Sequence, residues 1–276
     1  MVERLINVRE TDIYVKINGD TSLPVLVFLH GFTGSVETWS EVVQIFESKF
    51  KIIRIDLTGH GKSSIPKNEQ RYTMEEQVED LEAVFNELGL TEFVLIGYSM
   101  GGRIALAYTV KYSERVLSLI LESASPGLRT KQERSERRLA DKALAERLTS
   151  DGLLKFVDFW ENIPLFKSQK LLSTKKQKAI REERLRQSTI GLSNSLIGIG
   201  TGSQPSYWES LQTVQIPVFL ITGEIDKKFV LIAREMEKTF PIVKHTTIKS
   251  AGHAIHVEKP TLFATMIEEH ITELKK

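Results

Sequence analysis

Phe93-Val94-Leu95-Ile96-Gly97-Tyr98-Ser99-Met100-Gly101-Gly102-Arg103 is the stretch on which the fold turns. Four consecutive apolar residues suit a short strand buried on both faces, and residues 103–112 have the composition of a helix. Between them lies Gly97-x-Ser99-x-Gly101, in the strand, turn and helix context that a nucleophile elbow requires. The sharp turn brings backbone and helix close together, so small residues flank the serine while its hydroxyl is carried to the carboxyl edge of a sheet. Ser99 is therefore a candidate nucleophile.

Short apolar runs recur on both sides of this segment, at 25–29, 52–55, 117–121 and 218–221, with a weaker one at 246–248. Helical stretches at 35–50, 74–88, 231–240 and 260–274 alternate with them, the last opening on Pro260. Such alternation predicts a mostly parallel α/β sheet with right-handed crossovers. The start differs. Residues 4–9 and 13–17, split by Glu10-Thr11-Asp12, alternate apolar and polar positions and predict an antiparallel hairpin.

From 129 to 210 no strand is visible, only charged helix-favouring segments at 131–148 and 174–187 and a Gly/Ser-rich piece through Ser206. This region reads as a helical insertion in a single domain. It holds 16 Lys/Arg against 10 Asp/Glu, a surplus of +6, while the remainder carries 21 against 26.

A serine hydroxyl needs an imidazole to take its proton and a carboxylate to hold that imidazole's tautomer. Asp226 follows the 218–221 run and His253 follows the last candidate strand. The order Ser, Asp, His along the chain is the one used with this elbow, and each residue falls at a strand's carboxyl end, where α/β sheets bind ligands. Glu224 and His256 are the nearest competitors for the acid and the base. His30-Gly31-Phe32 follows the 25–29 run, so the backbone N–H of Phe32 can join that of Met100 as an oxyanion hole.

Several function classes are excluded. The net charge of +1 provides no overall field for nucleic acid or an anionic membrane. No run nears the roughly 20 apolar residues of a membrane span, and the N-terminus has no signal-peptide pattern, so a cytoplasmic enzyme is expected. With no cysteine there are no disulfides or thiolate metal sites, and no metal-ligand constellation or cofactor motif is present. Gly61-Lys62-Ser63 imitates the end of a phosphate-binding loop, but Asp56 stands where that loop needs glycine. Monomer and homodimer are both compatible with the sequence.

Taken together, these motifs resemble the α/β-hydrolase superfamily over nearly the whole chain. More narrowly they resemble the MenH family, the SHCHC (2-succinyl-6-hydroxy-2,4-cyclohexadiene-1-carboxylate) synthases of menaquinone biosynthesis. The narrow resemblance rests on His30-Gly31-Phe32, Gly97 to Arg103, Ser125-Pro126-Gly127-Leu128, Arg137-Arg138 with Ala145-Glu146-Arg147, Phe159-Trp160, Leu185-Arg186, Gly223 to Phe229, and Ala251-Gly252-His253 with His256. It implies a cofactor-free lyase that eliminates pyruvate from SEPHCHC, an enolpyruvyl-succinyl-cyclohexene carboxylate, with Ser99 acting as base through His253 and Asp226. It also implies that Tyr98, Arg103, Arg137, Trp160 and Arg186 bind the small tricarboxylate substrate. A one-residue shift in the insertion hands the role of Arg137 to Arg138. Thr58 departs from the superfamily's usual proline in the Asp56 to Gly61 turn.

Two rival classes use the same residues. A carboxylesterase or carbon–carbon bond hydrolase needs the triad without the arginines, and a non-catalytic receptor needs neither to turn over.

Overall fold

The computed structural model describes residues 1–274. Eight strands form one sheet in the order β1-β2-β4-β3-β5-β6-β7-β8. The strands are β1 (Val2–Val8), β2 (Thr11–Asn18), β3 (Val25–Leu29), β4 (Lys51–Ile55), β5 (Phe93–Tyr98), β6 (Val116–Glu122), β7 (Val218–Gly223) and β8 (Val243–Ile248). β2 runs antiparallel to β1 and β4, and every other pairing is parallel.

The N-terminal hairpin turns one residue earlier than expected. Thr11 and Asp12 pair with Val8 and Asn7, which leaves Arg9 and Glu10 alone in the turn at φ 48° and 62°. Two consecutive left-handed residues match the right-handed twist of the flanking strands, and here they are adopted without the glycine or asparagine that usually marks such a turn.

Burial on both faces follows from the period of two in each strand. In β3, Val27 and Leu29 face one layer and Leu26 and Phe28 the other, and in β5 Phe93 and Leu95 alternate in the same way with Val94 and Ile96. The second layer contains α1 (Ser40–Phe46) and the C-terminal helix at 260–273. The first contains α2 (Met74–Glu87) and α3 (Met100–Lys111), which follows β5 directly.

Between β6 and β7 the chain leaves the sheet and builds a cap. Its first helix, α4 (Lys131–Trp160), starts in a Thr130/Glu133 capping box and runs on to Trp160, past the expected end at 148. Gly152, at φ 80° and ψ 165°, breaks it into two arms. Then come α5 (Thr174–Leu185) and α6 (Thr189–Ile199). Helix α6 occupies the piece expected to be an irregular Gly/Ser-rich connection. Its small residues serve close approach: a Cβ on Gly191 would collide with the carbonyl of Gly59 in the body, and one on Gly198 would sit 2.7 Å from Tyr72. Tertiary packing here overrides poor helix propensity. Leu148, Phe156, Val157 and Leu192 form the cap's own apolar cluster, and Phe32 of the body packs against it.

After β7 come α7 (Lys227–Glu237), α8 (Ile255–Glu258) and α9 (Pro260–Glu273). Among the described residues no helix is long and apolar enough to cross a membrane.

Candidate functional site

Ser99 sits between β5 and α3 at φ 51° and ψ −107°. For a non-glycine residue this backbone is strained, by a cost on the order of 1–3 kcal/mol, and the surroundings hold it there. The Ser99 N–H donates to the Glu122 carbonyl at 2.8 Å, and the Ser99 carbonyl accepts from the Arg103 N–H at 3.0 Å. Gly97 and Gly101 allow the turn to close. A Cβ on Gly101 would press into the backbone carbonyls of Leu29 and His30, and one on Gly97 would lie 2.5 Å from Gly101 and Gly102. Gly101→Ala must displace backbone, so we expect it to cost about 3 kcal/mol or more of stability, read from the urea midpoint.

The other two residues arrive from neighbouring strand ends. Asp226 caps the N-terminus of α7 after β7, and His253 lies in the loop after β8. The Asp226 Oδ2 to His253 Nδ1 distance is 2.6 Å, and that from His253 Nε2 to Ser99 Oγ is 2.9 Å. A carboxylate on Nδ1 holds its proton there and leaves Nε2 free to accept from the serine. The imidazole is buried, and the rings of Phe229, Tyr98 and Phe166 pack around it with centroids 4.6, 5.3 and 6.2 Å away. Neither expected competitor is available. Glu224 accepts from the Ser250 N–H, while His256 is enclosed, pairing with Glu122 at 2.8 Å and with Thr38 at 2.9 Å.

The backbone N–H groups of Phe32 and Met100 have no acceptor among the described residues, and both residues line the cavity that Ser99 faces. Met100 opens α3, whose dipole adds positive potential at this point. The Phe32 loop is held from the body by His30. Its Nε2 accepts from the Leu57 N–H at 3.0 Å, and its Nδ1 lies 2.8 Å from the Gly31 carbonyl. Burial pushes the His30 imidazole down to about 3 and that of His60 to about 4, so both are neutral at pH 7; His30 acts as a fixed hydrogen-bonding wedge, while the His60 ring packs against His30 and Phe32.

The cavity over Ser99 measures about 1050 Å³. Arg103, Arg137, Tyr98 and Trp160 all reach its wall, as the family resemblance implied. Arg103 Nη1 donates to the Ile199 carbonyl (2.7 Å) and to Gln204 Oε1 (2.6 Å). Burial and the neighbouring Arg137 charge pull its guanidinium down to about 10. Arg137 Nε donates to Asp141 at 2.7 Å, whereas Arg138 turns away to the Gly202 carbonyl, so the geometry favours the register that puts Arg137 in the cleft. The buried Nε1 of Trp160 has no partner, and neither does the hydroxyl of Tyr98 among the described residues. Two guanidinium groups, an indole N–H without a partner and the N–H groups of Phe32 and Met100 thus face one cavity, whose wall also carries Glu133, Glu136 and Glu235.

A model of the α/β hydrolase fold family matches residues 24–260. The chain is 45% identical over 256 residues to the putative 2-succinyl-6-hydroxy-2,4-cyclohexadiene-1-carboxylate synthase of Bacillus subtilis, covering 93% of each. It is 32% identical over 243 residues to the 2-succinyl-6-hydroxy-2,4-cyclohexadiene-1-carboxylate synthase of Salmonella typhimurium, covering 88% of this chain and 91% of that one. The solved structure of MenH from S. aureus superposes with a TM-score of 0.91 at 36% identity, covering 95% and 99% of the two chains. The chain belongs to the SHCHC synthase family of α/β hydrolases.

One expected residue of this SHCHC synthase family member lies elsewhere. Arg186 is not in the wall of the Ser99 cavity; its side chain is 69% exposed and lies 3.7 Å from Glu182. The buried arginine of α5 is Arg184, 6% exposed. Its guanidinium sits 4.7 Å from the Phe166 ring and donates to Gln169 Oε1, and no carboxylate lies within ion-pair distance among the described residues. Neither arginine lines the Ser99 cavity; both border a second cavity of about 340 Å³ that shares Phe32, Tyr98 and Phe166 with the first, Arg184 from a buried position and Arg186 from an exposed one. At this end of α5 the two side chains leave in different directions, Arg184 into the buried side and Arg186 toward solvent. The helical spacing Ile180, Arg184, Gln187 marks the inward face, one register away from the Leu185-Arg186 match.

Proposed function

We propose that this chain is a cytoplasmic SHCHC synthase that eliminates pyruvate from SEPHCHC, with Ser99 as the proton-abstracting group. Ser99 Oγ, activated by His253 Nε2, removes a ring proton next to the succinyl carbonyl, and that proton passes to the imidazole, whose positive charge Asp226 offsets. The C–H electrons move onto the carbonyl oxygen, where the Phe32 and Met100 N–H groups can receive the charge. Collapse of this enolate forms a ring double bond at the deprotonated carbon, shifts the existing ring double bond one position along and breaks the C–O bond to the enolpyruvyl group. The departing pyruvate enolate recovers a proton at carbon, so neither redox partner nor added nucleophile is needed.

The observation that carries this reading is the coexistence, in one cavity, of the 2.9 Å Ser99–His253 contact with Arg103 and Arg137. Guanidinium groups bind carboxylates with two parallel hydrogen bonds, and the substrate has three carboxylates. The test is incubation with SEPHCHC, following pyruvate release together with diene absorbance, beside a p-nitrophenyl ester control. Ester cleavage without pyruvate would transfer the assignment to a serine hydrolase, which the same triad and donor pair equally suit.

In this reading Arg184, rather than Arg186, is the third arginine for the substrate. Arg184→Ala should raise KM at least tenfold, since a hydrogen bond to a charged group contributes about 1.5–3 kcal/mol. Arg186→Ala should change KM less than threefold, because its solvated ion pair contributes at most about 1 kcal/mol. The reverse ranking in steady-state kinetics would restore the Leu185-Arg186 register.

A further inference from the structure

The last turn of α5 grips the loop that carries Phe32. Glu183 Oε1 accepts from both the N–H (2.8 Å) and the hydroxyl (2.7 Å) of Ser35. One turn further, Gln187 Nε2 donates to the Gly34 carbonyl at 3.1 Å, and its Oε1 accepts from the Gly61 N–H at 3.0 Å. Two cap side chains thus bind loop 31–35 and loop 59–61 together. Neither lines the cavity above Ser99; Glu183 borders the smaller cavity beside Arg184, away from the serine hydroxyl. Beside this grip, α6 packs backbone to backbone on Gly59 through Gly191, and the Phe32 ring stands edge-on to Phe156 and Trp160 of α4.

We infer that Glu183 and Gln187 are positioning residues through which the docked cap sets the Phe32 N–H in the oxyanion hole. The inference rests on Phe32 and Met100 being the oxyanion donors of the proposed reaction. A backbone donor contributes only when aimed at the developing charge, and loss of one such donor costs about 100- to 1000-fold in kcat. From the body, His30 fixes the loop at its start and Asp56 holds it further on, by accepting from the Val36 N–H at 2.6 Å. Between these anchors Gly34 and Ser35 otherwise make only local bonds, the Gly34 N–H to the Gly31 carbonyl and Ser35 to the Glu37 and Thr38 N–H groups, so among the described residues the hydrogen bonds that reach them from beyond the loop come from the cap. The arrangement links assembly of the hole to closure of the lid over the substrate.

The test combines kinetics with a measurement that needs no substrate. Glu183→Ala and the Glu183→Ala/Gln187→Ala pair should lower kcat about 10- to 100-fold, less than complete loss of a donor, with KM within about threefold. Glu183→Gln should retain near wild-type kcat, because an amide oxygen still accepts both Ser35 bonds. A purely structural role, loosening the cap with its arginines and Trp160, would instead appear in KM. Amide exchange of residues 31–36 should quicken in the alanine variants and not in Glu183→Gln.

A pH series gives a separate reading of the same carboxyl. It faces Ser35 after β3, Asp56 at the end of β4, His256 on α8 and Arg184 on its own helix. Burial pushes it up to about 7 against the Ser35 bonds, from 4.5 when free. Wild type therefore loses stability relative to Glu183→Gln as pH rises from 4.5 to 7, and the gap stays constant above. Equal Tm differences at pH 5 and 8 would contradict the buried tether.

Both substrates are assayed. Wild-type ester cleavage without pyruvate release would sink the reaction proposed above and leave the tether readable from ester turnover. Wild-type kcat on either substrate together with unchanged exchange at 31–36 in the double alanine variant would overturn the tether, whatever the reaction.

Discussion

Ser99→Ala should lower kcat for pyruvate release about 100- to 10,000-fold, the usual contribution of a positioned general base, with little change in KM. In the proposed mechanism KM is set by groups elsewhere in the cavity, whereas Ser99 interacts with the proton only as it leaves. Alanine relieves no contact except the bond to His253 Nε2, so the fold should persist and Tm should move by no more than a few degrees. His253→Ala should cost about as much. The double variant should be scarcely worse than either single one, because hydroxyl and imidazole act as one base and the loss of either disables both. A hydrolase reading makes a different prediction for the same variant: loss of ester cleavage with no acyl-enzyme burst. Independent, multiplying effects of the two substitutions would contradict the relay, and undiminished pyruvate release by Ser99→Ala would remove the serine from the chemistry altogether.

The parts of this site that could be read from the sequence pattern without any resemblance share one property: each sits where a run of buried strand residues ends. Ser99, Asp226 and the oxyanion loop follow β5, β7 and β3, runs whose apolar continuity reports double-sided burial, and His253 follows the weaker β8. Once those strands are parallel and adjacent, their carboxyl ends must gather, and the residues just beyond them meet. The cap obeys no such rule. Its helices are placed by side-chain contacts with the body, so helix α6 was hidden behind glycines and serines that a propensity reading assigns to loop, although these small residues are what lets α6 approach Gly59 and Tyr72. The break at Gly152 falls in Thr149-Ser150-Asp151-Gly152, which by itself reads as a helix end, while Leu153, Phe156, Val157 and Trp160 carry the inward face on beyond it. The rotation of α5, which buries Arg184 and exposes Arg186, depends on what that helix packs against, and a two-residue motif match does not determine it.

Arg103→Ala should lower kcat/KM for SEPHCHC about 30- to 1000-fold, equivalent to about 2–4 kcal/mol, while p-nitrophenyl ester cleavage remains within about threefold. The energy has two sources. A carboxylate bound in the cavity loses a guanidinium partner in a place where water is largely excluded, and the Ile199 carbonyl and Gln204 Oε1 lose the donor that satisfies them. The second loss would be felt with any substrate, so the ester control isolates the first. Arg103→Lys sharpens the distinction. It retains a positive charge but cannot present two parallel N–H groups, and it should recover only part of the activity, chiefly in KM. The like-charge pair with Arg137 adds a further expectation. Without ligand the two guanidinium groups repel, which is one reason Arg103 titrates at about 10. An anion between them relieves this repulsion, so a dicarboxylate product analogue should raise the Tm of wild type and do so much less for Arg103→Ala. Equal stabilisation of both proteins would mean that the anion binds elsewhere, and the pairing of this arginine with a substrate carboxylate would have to be given up.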